Sequence, residues 1–290
     1  MFEAIGSEYL VPFKGDFSVG EAQTSPPDGA PGKKKNKNEL EDLVDELREL
    51  QRMLYAQDKY ALLLVFQAMD AAGKDGTIRA VMSGVNPAGV QVFSFKGPTP
   101  EELDHDFLWR TTVRLPERGR IGIFNRSYYE DVLVVRVHPK FLEYQKLPYA
   151  IDLETIWKER FKSIRDHEEH LTQNGMVILK FWLNVSNKEQ RQRFLDRIEE
   201  PEKNWKFSTK DVEERSHWDD YMHAYEEALQ ATSRPWAPWY AIPADSKPYM
   251  RVQVADIIVK TMKSLGLAYP TVNKKVRTEL LEMKKVLEGE

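Results

Sequence analysis

The 290-residue sequence contains no cysteine. Disulfides, thiolate nucleophiles and Cys-ligated zinc or iron–sulfur centres are therefore excluded. It also lacks a long apolar run. The longest clean stretch, Ala61 to Phe66, is far short of the ~20 residues that span a bilayer. Met1 to Leu10 lack the basic-then-apolar order of a signal peptide, so the expectation is a cytoplasmic globular protein with no membrane partner. Neither charge sign dominates: 42 Lys and Arg stand against 46 Asp and Glu, a net charge of −4. That balance argues against a surface coated for nucleic acid and leaves room for a local basic groove. The six histidines show no metal-ligand spacing. His167 and His170, with Glu168 and Glu169 between them, read as the exposed polar face of a helix. Asp219 and Asp220 read as part of a solvated helix rather than as a metal pair.

What is present is 41% hydrophobic and 30% charged, enough to build a sizeable core. Residues 15–38 are rich in Gly, Pro, Ser, Asp and Lys, with no apolar period, so residues 1–38 read as an N-terminal arm, ordered only if it drapes over the body. Its run Lys33, Lys34, Lys35 and Lys37 reads as a solvated charge run. From Glu39 a stripe of Leu40, Leu43, Val44, Leu47, Leu50 and Leu54 predicts an amphipathic helix. Short apolar runs at 61–66, 90–95, 121–124, 176–183 and 239–242 predict strands. Helical stretches at 127–137, 151–174, 187–199, 209–232 and 249–265 fill the gaps. Strands alternating with helices predict an α/β fold with a central parallel sheet covered on both faces. A last amphipathic helix carries Val276, Leu280, Met283 and Leu287.

The first strand runs into Gln67-Ala68-Met69-Asp70-Ala71-Ala72-Gly73-Lys74-Asp75-Gly76-Thr77. Strand, glycine loop, lysine and helix is the context of a phosphate-binding loop, in which amides and a helix N-terminus converge on an anion. The match is imperfect, since Ala68 stands at the first glycine and Asp75 where Ser or Thr would hold Mg2+. The other reading is an ordinary strand-to-helix turn with an exposed lysine. The central position of the strand favours the phosphate loop, as does Asp70, a carboxylate that makes sense beside phosphates if a metal lies between them.

Between Trp109 and His138 lie six arginines and no lysine. Arginine without lysine suggests bidentate recognition of phosphate or carboxylate. One of them, Arg126, follows the strand 121–124 in Asn125-Arg126-Ser127-Tyr128-Tyr129-Glu130. Lys96-Gly97-Pro98 closes the strand 90–95 in the same way. Ligands of parallel sheets bind beyond the C-terminal strand ends, so Lys74, Lys96 and Arg126 fall on one rim. Further on, Arg193 and Arg197 share a helical face, and Glu200 to Ser208 form a charged hinge between helices. The hinge reads as a lid over a transferring group; the alternative is a helical hairpin with ordinary surface pairs. Ser208 is an N-cap in either case.

Three segments, Phe66 to Thr77, Ile123 to Glu130 and Lys203-Asn204-Trp205-Lys206-Phe207-Ser208, resemble the loop, second motif and lid of the polyphosphate kinase 2 family. The resemblance covers residues 39 to 270. It implies a three-layer α/β/α sandwich of the P-loop, thymidylate-kinase-like kind, with residues 39–290 as one phosphotransferase domain, a lid at about 198–217 and a C-terminal helix at 270–290. It implies transfer of the terminal phosphate between inorganic polyphosphate and adenine nucleotides with Mg2+, or Mn2+ in its place, and assembly into a dimer or tetramer. By that resemblance Asp70 binds the metal. Ala72, Gly73, Lys74, Asp75, Gly76 and Thr77 hold phosphates of the chain. Arg126 bridges donor and acceptor. Arg193, Arg197, Lys203 and Lys206 form the lid and basic channel, and Lys96 and Arg110 face the acceptor nucleotide. Many members restricted to nucleoside diphosphates have Asp where this chain has Asn125. Asn125 with Glu130 resembles the subgroup that phosphorylates both AMP and ADP, and it removes a second carboxylate ligand for which Glu130 compensates. An ATP-dependent kinase on the same fold and a non-catalytic anion-binding scaffold are the competing expectations.

Overall fold

The computed structural model describes residues 2–290, with Lys206 described through its backbone alone. In chain order the elements are α1 (Lys33–Gln57), β1 (Ala61–Gln67), α2 (Lys74–Val81), β2 (Val90–Ser94), α3 (Pro100–Leu103), α4 (Trp109–Thr112), β3 (Ile121–Asn125), α5 (Val134–Val137), α6 (Ile156–Gln173), β4 (Met176–Asn184), α7 (Asn187–Glu199), α8 (Thr209–Arg215), α9 (Trp218–Thr232), β5 (Trp239–Pro243), α10 (Lys247–Ser264) and α11 (Lys274–Glu288). A 3-10 turn, Tyr128–Val132, lies between β3 and α5.

The five strands form one sheet in the order β2-β3-β1-β4-β5, and every neighbouring pair is parallel. The sequence explains the order of burial. β1 (Ala-Leu-Leu-Leu-Val-Phe-Gln) is buried at every position, as is β4, because helices cover both faces of a parallel sheet. β2 alternates between half-buried and exposed positions, as an edge strand should. The opposite edge, β5, is closed by the N-terminal arm. Val11 N–H donates to the Trp239 carbonyl (2.9 Å) and Ala241 N–H to the Tyr9 carbonyl (2.8 Å).

The arm is shorter than the sequence suggests. α1 already starts at Lys33, N-capped by Gly32, and the Asn36 amide donates to the Pro31 carbonyl at 2.6 Å. Lysine is a good helix former, but four of them in the first turns carry no apolar period to reveal the helix. The predicted helix 209–232 is broken between α8 and α9, and 127–137 is a 3-10 turn followed by the short α5.

One expectation about polarity is overturned. Glu168 is not on an exposed face: it is fully buried under the sheet, paired at 2.6 Å with Lys180 of β4, which is also fully buried. The Tyr128 and Tyr129 hydroxyls each donate to Glu168 Oε1 at 2.9 Å, and Lys180 also donates to the Tyr129 hydroxyl and the Thr232 carbonyl, both at 2.9 Å. Every donor of Lys180 is thereby used. Burial pulls the lysine below its ordinary pKa, and Glu168 pulls the other way. The network fastens the turn after β3 to α6, β4 and α9. Breaking a buried pair strands one charge, whereas removing both members is far milder. Lys180→Met should cost about 3–5 kcal/mol in urea unfolding, and adding Glu168→Gln should recover most of the loss. Equal destabilisation by the single and double variants would contradict this account.

Candidate active site

The loop after β1 curls because two of its residues adopt left-handed backbone: Ala71 at φ 61° and Gly73 at φ 110°. Gly73 does so without steric cost, whereas Ala71 is strained. α7 holds that shape from below. Arg193 Nη1 donates to the carbonyls of Ala71 (3.1 Å) and Ala72 (2.7 Å), and Gln190 to the Asp70 carbonyl (2.9 Å). The other Arg193 nitrogens bind Glu189 and the carbonyls of Ala244 and Asp245. Every guanidinium donor is engaged and the side chain is buried. Arg193 therefore braces the loop while also lining the basic channel, where the sequence put it. Thr77 lies behind the channel's lining. Its amide closes the first helical hydrogen bond, to Gly73, and its buried hydroxyl faces the Met250 sulfur. The amides of Lys74, Asp75 and Gly76 precede that bond and remain the helix's unpaired donors.

Lys74 is buried beneath the loop, with Nζ 2.6 Å from the Ala68 carbonyl. Burial, then the charge of Arg126, pulls its pKa down to about 8, while Asp70, Glu130 and Asp75 oppose the fall. The end of β3 meets this loop. Arg126, itself at φ 64°, donates to Asp70 Oδ1 at 2.8 Å and lies 3.6 Å from Glu130. Glu130 accepts from Gln67, the last residue of β1, at 2.9 Å. Glu130 raises the Arg126 pKa most, with Asp70 adding to it against burial. Burial raises the Asp70 pKa, but Lys74, Arg126 and Arg197 outweigh it and hold the carboxylate below its ordinary value. Asn125 donates to Asp75 Oδ1 at 2.6 Å, tying β3 to the first turn of α2.

Two cavities meet here. One, of about 680 Å3, is a basic channel over the loop. It brings together Lys74, Lys96, Arg126, Arg193, Arg197 and Lys203 as the sequence predicted. It adds Arg79, Lys247 and Arg251, which the sequence reading missed. Lys247 and Arg251 open the helix after β5, so the strand-end rule applied to β5 would have found them. The other cavity, of about 400 Å3, is largely apolar. Phe107, Val134, Val135, Phe141 and Leu147 line it, with Arg160 and Asp131 among its polar groups. Lys96, Gly97 and Arg126 line both cavities. Arg110 is buried in the apolar cavity's wall. It donates to the Lys96 carbonyl at 2.8 Å and lies over the Phe95 ring, so it holds the rim as well as facing the cavity.

The hinge forms a 3-10 turn, Pro201–Lys206, and then α8, N-capped by Ser208. Arg197 lies 3.7 Å from Asp211 of α8 and also lines the channel. Lys203 pairs with Glu200 at 2.5 Å. The Lys206 side chain, predicted to join them, lies outside the described residues. Asp219 and Asp220 are exposed at the start of α9.

No group of three or more His, Cys, Asp or Glu gathers into a metal cage among the described residues. The oxygens of Asp70, half-exposed at the edge of the channel, suit a hard cation of the Mg2+ kind. Such an ion takes one or two carboxylates and completes its shell with water and phosphate.

A parallel sheet with a curled loop, lysine and helix at its central strand, facing an arginine from the neighbouring strand end, defines a P-loop phosphotransferase site. The sequence model of the Polyphosphate kinase 2 (PPK2) family matches residues 31–268, and the chain belongs to that family. It is 57% identical over 245 residues, 84% of this chain and 85% of the relative, to an ADP-polyphosphate phosphotransferase of Rhodopseudomonas palustris. To an AMP/ADP-polyphosphate phosphotransferase of Meiothermus ruber it is 49% identical over 224 residues, 77% of this chain and 80% of the relative. The crystal structure of polyphosphate kinase 2 from Arthrobacter aurescens superposes with a TM-score of 0.84 at 36% identity, over 98% of this chain and 99% of that one.

If Arg193 acts by holding the loop, Arg193→Lys, with too few donors for its five contacts, should loosen residues 70–76. Their amides should exchange roughly ten-fold faster or more, with far less change in the core strands. Unchanged exchange would refute the bracing role.

Proposed function

We propose that the protein transfers the terminal phosphoryl group of inorganic polyphosphate, reversibly and with Mg2+, to AMP and ADP, giving ADP and ATP. One observation carries the reading: Arg126 stands where a basic channel, fit for a chain of phosphates, meets an apolar cavity of a size fit for a nucleoside. Donor chain and acceptor nucleotide then approach from opposite sides of one guanidinium. An oxygen of the acceptor's phosphate, already ionised at neutral pH, attacks the terminal phosphorus. The bond from that phosphorus to the bridging oxygen breaks, and the shortened chain leaves with the electron pair. No protein nucleophile or general base is required. Catalysis rests on in-line positioning and on charge at the transferring group.

Lys74 and the first amides of α2 hold the donor's terminal phosphates. Arg126 contacts both substrates, and its left-handed backbone and its bond to Asp70 fix its direction. Asp70 is the residue that would hold Mg2+, or Mn2+ in its place, with Glu130 close behind Arg126; the ion, when bound, would neutralise phosphate charge. Asn125, neutral and already spent on Asp75, supports acceptance of AMP as well as ADP. The exposed stripe of Leu280, Met283 and Leu287 on α11 supports self-association of copies of this chain.

The direct test supplies purified protein with Mg2+, long-chain polyphosphate and AMP, without ATP. ADP and then ATP should form. Product from ADP alone would remove AMP from the reading, and turnover only with ATP as donor would overturn it. Lys74→Ala and Asp70→Asn should each cost roughly 10²-fold or more in rate, the scale of losing a charged contact in the transition state. Variants within a few-fold of wild type would remove the loop from the mechanism. With Lys74 titrating at about 8 in the free enzyme, kcat/KM for polyphosphate should fall as pH rises past that value, because the lysine loses the charge that attracts phosphate. Bound phosphate favours the protonated form, so the fall in kcat should lie at higher pH. A kcat/KM profile flat through the alkaline range would contradict the assignment.

A further inference from the structure

The lysine run at the start of α1 reads as solvated charge in the sequence, but the fold puts part of it beside the channel. α1 packs along α10, and between them and α2 lies a groove of about 510 Å3 whose charged lining is Lys33, Lys37, Glu41, Asp45, Arg48 and Arg251. Arg251 also lines the basic channel. One guanidinium therefore lines both cavities.

That guanidinium is unusual. Arg251 meets no acidic partner among the described residues, and its buried Nε lacks any hydrogen bond. Another cation, Arg79, repels it, and that repulsion adds to burial in lowering its pKa. Arg79 and Lys247 likewise form no ion pair among the described residues. Unpaired cations held close together are costly unless an anion joins them. The groove continues the same pattern with less force. Lys33 forms no ion pair among the described residues, Lys37 lies 3.7 Å from Glu41 with both side chains exposed, and Arg48 pairs with Asp45 at 3.0 Å. Four cations thus face two carboxylates. The helix terminus adds to the imbalance. α1 has no acidic residue in its first turn, so its lysines sit at the positive end of the helix dipole, where cations are unfavourable and an anion is welcome.

We propose that this groove is an outer subsite for polyphosphate, holding the part of a long chain that has passed Arg251 away from the transferring phosphate. The inference rests on the polyphosphate reading of the channel and extends it to chain length. A short donor fills the channel and ends near Arg251. A long one continues onto Lys33 and Lys37 and gains their contacts and the counterions released there.

The test uses the full chain with Lys33→Gln and Lys37→Gln together. The control is Lys34→Gln with Lys35→Gln, which removes the same charge from the same helical turns but outside the groove. With AMP as acceptor, the KM for long-chain polyphosphate should rise roughly five-fold in the first variant, with kcat unchanged and a shallower dependence on salt. The KM for a linear donor of a few phosphates should stay as in wild type, and the control should match wild type with both donors. An unchanged long-chain KM would overturn the subsite. So would an equal rise with both donors or in the control, which would reflect net charge instead. Direct titration with long-chain polyphosphate separates this inference from the functional reading. If Lys33→Gln with Lys37→Gln weakens binding but wild type turns over no polyphosphate, the groove stands and the activity falls.

Discussion

The contact between Asp70 and Arg126 joins the ends of two adjacent parallel strands, and the rest of the site is arranged around it. β1 and β3 are in register from Leu62 opposite Ile121 to Phe66 opposite Asn125, so the residues beyond them diverge from a shared line. Left to themselves, one end would present a carboxylate and the other a cation at an arbitrary angle. Two left-handed residues, Ala71 and Arg126, turn the ends toward each other. Such backbone persists only where surrounding contacts over-determine it. Here the determinants are concrete: Arg193 and Gln190 hold the loop's carbonyls, and the Lys180–Glu168 network holds the tyrosines that follow Arg126. The buried ion pair under the sheet thus acts on the site without touching it.

Much of this was legible in the sequence because a parallel sheet reports its own active edge. All five strands sit within a residue or two of the apolar runs, and the polar residues immediately after β1, β2 and β3 converge as expected. Lys74, Lys96 and Arg126 could be found because each lies next to the strand that positions it. Glu168 misled for a plain reason: nothing in a charged residue's spacing tells whether its charge faces water or a buried partner. Arg193 and Arg197 share a helical face and both line the channel, yet only Arg193 spends its donors on the phosphate loop's carbonyls. Glu168 lies among His and Glu neighbours, and only its partner on β4, twelve residues later, explains its burial. Arg79 and Arg251 illustrate the converse. They are far apart in sequence, and only the packing of α2 against α10 reveals that they repel each other.

That repulsion bears on why a protein with net charge −4 can serve a polyanion. Channel and groove collect cations from α1, α2, α7, α10 and three strand ends, while acids dominate elsewhere. A focused field of this kind raises the local concentration of an anion and draws it in quickly, and both effects weaken with salt. Concentrating like charges also lowers stability of the free protein. The channel's cations are therefore an argument about ligand as much as about fold, since a bound chain of phosphates relieves a strain that solvent relieves only in part.

The two cavities divide the chemistry in a way that neither does alone. The apolar one offers a nucleoside little beyond its aromatic and aliphatic walls and a few buried polar groups, so it selects by shape. On the same reading the basic one would offer a phosphate chain charge without fixed register. A donor that must be shortened one phosphate at a time needs that freedom, whereas an acceptor phosphorylated at one position must not have it. On the proposed reading Arg126 reconciles the two demands, because its left-handed backbone and its bond to Asp70 fix the guanidinium on the boundary of the two cavities. Ala71 and Arg126, two of the four non-glycine residues with left-handed backbone among the described residues, lie at that junction, so strain is placed where direction matters most.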